Sequence, residues 1–222
     1  MENEITTPES PLQCGKSAGR PRASDVEARH QNLVHTAGVL FLKHGYSKVS
    51  LELIAREAHV AVRTIYVKFG GKAGLFQAVL EENREKFFTL SEMETDPRHF
   101  REVILDFGLH FLDMIAAPEA VAMQRMVIAE ASTNPELSQS FFDGGPRQTR
   151  DMLKRFFARP DIRAALRDDV QVDMLPVHLS NCVIGDQFGR FLFGAGTPTR
   201  AEVLRDLELR LDLFYHSVLK QP

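Results

Sequence analysis

Apolar positions along the chain recur at helical spacing almost from end to end, and no β-branched alternating run worth a strand interrupts them. From Asp25 one face collects Val26, Leu33, Val34, Ala37, Leu40 and Phe41 before a stop at Gly45, which predicts a first helix. Ser50 then stands as N-cap before "LELIAREA", where Leu51, Ile54, Ala55 and Ala58 form one stripe. After the joint "AHVAV", a second short stripe puts Ile65 and Phe69 back toward Ile54 and Leu51. Isolated helices this short are marginal in water, so two in succession persist only by packing on each other and on the first helix.

Downstream, prolines in "DPRH", "APEA" and "NPEL" occupy first helical positions, with Asp96 and Asn134 as expected N-caps. Helices are expected over about 98–116, 119–132 and 136–158, and a further one over about 170–193, ending at "GAG". A last helix, about 199–219, opens on the capping box Thr199/Glu202. The expected fold is all-α: a helix-turn-helix unit over 25–72 and a larger helical unit over 73–222. Residues 1–24 lack apolar periodicity and predict a disordered leader ending in the basic arm "KSAGRPR".

Composition narrows the function through its distribution rather than its total. The 222 residues carry a net charge of −3. Between Lys16 and Lys72, however, ten Lys and Arg face four Asp and Glu, while everything after Lys72 is net acidic. A basic N-terminal third on an acidic body is the footprint of a local polyanion-binding module. No apolar run reaches the roughly 20 residues of a membrane span, and the start is not signal-like, so a cytoplasmic protein without membrane attachment is expected. Cys14 and Cys182 have no metal-ligand spacing around them, and a structural disulfide is not expected. His110, Asp113, His178 and Asp186 form no metal-ligand or acid-base motif, and "GGKAG" lacks the strand and the Ser or Thr of a phosphate loop. An enzyme, a metal and a cofactor are therefore not expected.

The run "GYSKVSLELIAREAHVAVRTIYVKFGGKAGLF" resembles the DNA-binding domain of TetR-family transcriptional regulators, over roughly Arg29 to Leu80. By position, the resemblance implies phosphate contacts from Ser50, Tyr66, Lys68 and Lys72, and base or groove contacts from Val62, Arg63 and Thr64. Cations and hydroxyls flanking a short exposed helix suit phosphates, and Arg63 can reach a guanine edge. Arg20 and Arg22 of the arm suit a minor groove, or belong to an untethered tail. Three positions depart from the family pattern: His59 stands for a turn glycine, Ala61 for a serine cap and Val49 for a threonine.

The stretch "RMVIAEASTNPELSQSFFDGGPRQT" is similar to the C-terminal domain of the AefR- and AcrR-like branch of that family. This implies a homodimer on an operator in double-stranded DNA and, in several members, a small hydrophobic effector. Effector candidates are Phe107, His110, Phe111, Met123, Met126, Phe142 and Phe156, although Phe and Met serve a core equally well. Pairing through the last two long helices implies Leu179, Val183, Phe191, Leu207, Leu211, Phe214 and Val218, which an intrachain core would also use. The expected function is a ligand-released repressor, set against a regulator with no small-molecule effector, controlled by a protein partner or by abundance.

Overall fold

The computed structural model describes residues 23–87, 90–196 and 198–220; the arm residues Arg20 and Arg22 lie outside them. Among these residues every regular element is helical, apart from one isolated bridge between Leu166 and Leu219. Four helices make the N-terminal head: α1 (Ala23–His44), α2 (Leu51–Glu57), α3 (Val62–Phe69) and α4 (Lys72–Glu85). The body follows with α5 (Leu90–Thr95), α6 (Phe100–Ala116), α7 (Pro118–Glu130), α8 (Pro135–Phe142), α9 (Gln148–Phe157), α10 (Pro160–Ala165), α11 (Leu175–Ile184), α12 (Gln187–Phe193) and α13 (Arg200–Val218).

Several expected helices are interrupted, each for a visible reason. The segment 136–158 is not one α-helix, because Asp143–Arg147 forms a π-helical turn containing Pro146 between α8 and α9. Proline cannot donate to the preceding turn, and the wider turn absorbs the missing bond. The segment 170–193 divides at Gly185, whose φ of 51° ends α11. Pro97 does not open α6: His99 is its N-cap, accepting from the Arg101 N–H at 3.3 Å, while Asp96 instead accepts from the Arg98 backbone and side chain. Asn134 precedes α8 as expected but makes no side-chain cap there. The Thr199/Glu202 capping box of α13 is present in full.

Two apolar cores result. The head core joins Leu33, Phe41, Ile54, Ile65 and Phe76 to Met123 and Val127 of α7 and Leu137 of α8, so it continues past Lys72 into body helices. The body core is built from α6, α9, α11 and α13 around Phe107, Phe156, Phe157, Leu179, Leu207 and Phe214. Gly108 lets α6 and α13 close up, since a Cβ there would stand 3.0 Å from Leu207. The helix α4 serves both halves: it packs on α1 and α3 at one side and on α8 and the π turn at the other.

Candidate nucleic-acid interface

The α1–α2 turn, the helix pair and the start of α4 bring the expected DNA-contacting residues to one end of the head. Ser50 caps α2, its Oγ accepting from the Leu53 N–H at 3.1 Å. The same hydroxyl remains able to donate outward. Ile65 anchors α3 in the core, which turns its opposite face to solvent: Arg63 and Lys68 are exposed, Tyr66 is 57% exposed and Val67 75%. Val62 and Thr64 are half-buried at the start of that face. A valine so open on a short helix has no packing role, and with Arg63 one turn earlier it forms an apolar-plus-cationic surface suited to base edges and thymine methyls.

The departures from the family pattern have local consequences. His59 adopts φ 55°, the only positive φ at a non-glycine among the described residues. Left-handed backbone costs a side-chain-bearing residue about 1 kcal/mol. Ala61 has the extended backbone of an N-cap, φ −76° and ψ 142°, but no side chain with which to cap α3. Val49 is buried and contributes to the head core.

Lys72 is not a freely solvated cation. Its Nζ lies 4.2 Å from the centroid of the Tyr46 ring, and burial lowers its pKa against the opposing pull of Glu130 and Glu136. Tyr46 is pushed up to about 12 by burial and by the same two carboxylates. The first of these, Glu130 at the end of α7, accepts from the backbone N–H groups of Tyr46 and Ser47, each at 2.9 Å, and from the Ser47 hydroxyl. Burial opposes its ionisation, but the Ser47 hydroxyl, the two N–H groups and Lys72 together hold its carboxyl below the usual value. Sequence inspection gave no sign of Glu130, because its partners lie 83 and 84 residues away.

The remaining candidates are dispersed. Of the effector set, Met123 and Met126 belong to the head core, His110 is exposed, Phe142 lies at the surface beneath Arg147 and Arg150, and Phe107, Phe111 and Phe156 fill the body core. None lines either of two surface hollows, one of about 720 Å³ at Arg167, Asp168, Asp169 and Lys220, the other of about 240 Å³ between α6 and α13. The pairing set lies largely inward in the single chain. Leu179, Val183, Leu207, Leu211, Phe214 and Val218 are all buried against their own chain, and Phe191 is half-buried. Their stripe packs on neighbouring helices of the same chain, α6 and α9 among them. The outward positions of the same region are Met174, Leu209 and Leu213, with Phe193 at the end of α12.

Comparison with known families agrees with this geometry. Residues 33–79 match the family described as bacterial regulatory proteins, tetR family, and residues 102–215 match the AefR-like transcriptional repressor C-terminal domain. The chain belongs to the TetR family of transcriptional regulators. It is 34% identical over 79 residues to the transcriptional repressor ComR of Escherichia coli, a match spanning 36% of each chain. The flavonoid-responsive regulator FrrA superposes with a TM-score of 0.68 at 23% identity, covering 88% of this chain and all of FrrA. NalD of Pseudomonas aeruginosa, secondary repressor of the MexAB-OprM multidrug efflux pump, superposes with a TM-score of 0.60 at 18% identity, covering 90% of this chain and all of NalD. At these identities the two superpositions establish the fold. TetR-family regulators bind DNA and act as dimers rather than as enzymes, and no described helix is long and apolar enough to cross a membrane.

Proposed function

We propose that this regulator is a repressor that binds an inverted-repeat operator as a homodimer and is released by a small apolar effector, in control of an efflux or membrane-related operon. The observation that carries the DNA reading is the outward face of α3, where Arg63, Tyr66, Val67 and Lys68 stand clear of a core closed by Ile65. Arg63, Val62 and Thr64 read bases, while Ser50, Tyr66, Lys68 and Lys72 hold phosphates. Two such heads read one operator when their α3 helices stand about 34–36 Å apart, one turn of DNA. The exposed Leu209–Leu213 strip of α13, with Met174 preceding α11, supplies a surface for the second copy.

Release follows from α4, which packs on α3 and on the π turn at once. A ligand that repacks the body shifts α4 and the spacing of the two heads, and DNA must then weaken ligand binding by the same factor. The efflux assignment rests on the AefR-like body and on the likeness to NalD. One observation favours the second reading, regulation without an effector: the body core is filled by Phe107, Phe111, Phe156 and Phe157, and the effector candidates do not converge on one hollow.

Selection of bound duplexes from a genomic fragment pool at fixed salt, with Tyr66→Ala and Arg63→Ala as controls, tests the DNA reading. Enrichment of one inverted repeat, lost in both controls, is expected; sequence-independent recovery would refute it. A melting-temperature screen of apolar compounds separates the two modes of control, because an effector raises the melting temperature and weakens operator binding reciprocally.

A further inference from the structure

The α1–α2 turn is held from outside the head by the Glu130 carboxylate, helped by the Asn134 amide. Glu130 is the last residue of α7, where the helix's own partial negative charge disfavours an anion. Its compensation comes mainly from across the chain, with Asn134 adding a local donor at 3.3 Å. One oxygen accepts from the Tyr46 N–H, the other from the Ser47 N–H and hydroxyl, and Asn134 at the start of α8 donates to the Ser47 Oγ at 2.8 Å. The approach is so close that a Cβ on Gly45 would stand 2.8 Å from a Glu130 oxygen. The α7–α8 corner and the α1–α2 turn are thereby fitted to each other atom by atom.

What this turn carries is the DNA-contacting set. Three residues after Ser47 comes Ser50, the cap of α2, and the Tyr46 ring lies beneath the ammonium of Lys72. Glu130 also attracts Lys72 electrostatically. We propose that Glu130 is a positioning residue for DNA binding: through Tyr46 and Ser47 it fixes Ser50 and Lys72 in register with the body, so that displacement of the α7–α8 corner moves both phosphate contacts together. This rests on the assignment of Ser50 and Lys72 to phosphates made above. It supplies a second route from body to head beside α4, and one that acts on the turn rather than on the recognition helix.

The test compares full-length wild type with Glu130→Gln, Ser47→Ala and the double variant. Glutamine keeps the size and one acceptor but loses the charge and the second acceptor. Affinity is measured for the selected operator and for a scrambled duplex of equal length, with amide hydrogen exchange recorded on the free proteins. Glu130→Gln is expected to weaken operator binding about tenfold, the effect of losing one charge-assisted bond. Binding of the scrambled duplex is expected to fall by a similar factor, because contacts to phosphates carry no sequence information. Ser47→Ala should add little to Glu130→Gln, and exchange should rise across Tyr46, Ser47, α2 and α3 while α11 and α13 keep their protection. Affinity unchanged on both duplexes, exchange that rises only at Tyr46 and Ser47, or protection lost in α11 and α13 as well would assign Glu130 a merely structural role and overturn the proposal. If the wild type prefers no duplex, the operator reading fails by itself, and the spread of exchange through α2 and α3 still decides whether Glu130 holds the head.

Discussion

Arg84 Nη1 of α4 donates to the carbonyl oxygen of Gly144 at 2.8 Å, tying the helix shared by both halves to the π-helical turn of the body. The residue is 5% exposed and its Nε has no hydrogen-bond partner among the described residues, so a cation sits where burial lowers its pKa and only the carboxylates of Glu81, 3.5 Å away and itself largely exposed, and Glu85 offset the cost. Gly144 fits because a Cβ there would come 3.1 Å from Leu80 and 3.4 Å from the Gln77 backbone. The junction exchanges stability for a defined seat of α4 on the body.

Replacing Arg84 separates those two effects. Arg84→Ala leaves a cavity and an unpaired carbonyl and should cost about 2–3 kcal/mol in urea unfolding. Arg84→Met fills most of the volume without the buried charge and should cost less than about 1 kcal/mol. Equal losses in both would mean that the hydrogen bond to Gly144, not volume or charge, dominates.

The turn before α3 carries removable strain. His59→Gly should raise stability by about 0.5 kcal/mol, the left-handed penalty less the extra freedom glycine has when unfolded. Ala61→Ser should add about 1 kcal/mol by capping α3 from a backbone already extended for it. The two lie on one short joint, so thermal melts of both singles and the double are needed, and a loss on Ala61→Ser would show that the α3 N-terminus is satisfied in another way.

Buried and outward leucines of α13 should respond differently. Leu207→Ala, in the body core, is expected to destabilise the fold by about 2–5 kcal/mol. Leu213→Asp, 71% exposed, should leave the chain folded but shift it toward monomer in sedimentation velocity. A folded dimer in the second variant would place the pairing surface elsewhere.

Two pH windows follow from the shifted groups. Glu130 is held below the ordinary glutamate value of 4.5, so its stabilisation is complete above that pH and is lost as pH falls through the lower folded value. Glu130→Gln should therefore flatten the acid limb of melting temperature against pH. Tyr46 and Tyr215 are both raised from 10.0 to about 12, chiefly by burial, so the stability they contribute is present below pH 10 and disappears as pH rises through about 12. Phenolate absorbance should show these two tyrosines silent at pH 10.5; their ionisation there would mean that the side chains are open to water.

Local rules carried much of the fold. The Ser50 cap, the Thr199/Glu202 box, the starts of α7 and α8 at Pro118 and Pro135, and the exposed face of α3 are each set by residues within a few positions of one another. Apolar stripes also announced which residues would be buried: Leu179, Leu207, Leu211 and Phe214 were legible as apolar faces. What they face was not, because the period of a helix says which side is buried and nothing about whether the neighbour is the same chain or another copy.

The amino-acid sequence by itself determined the helical class, the basic head and the residues that α3 presents, since spacing, capping and charge act over a turn or two. Only the tertiary structure decided that Met123 and Val127 complete the head's core, that the 136–158 and 170–193 segments break, that Lys72 lies over Tyr46, and that Glu130 grips a turn more than eighty residues away. Those contacts arise when distant helices pack and leave polar groups in need of partners, and no local pattern encodes which partner arrives.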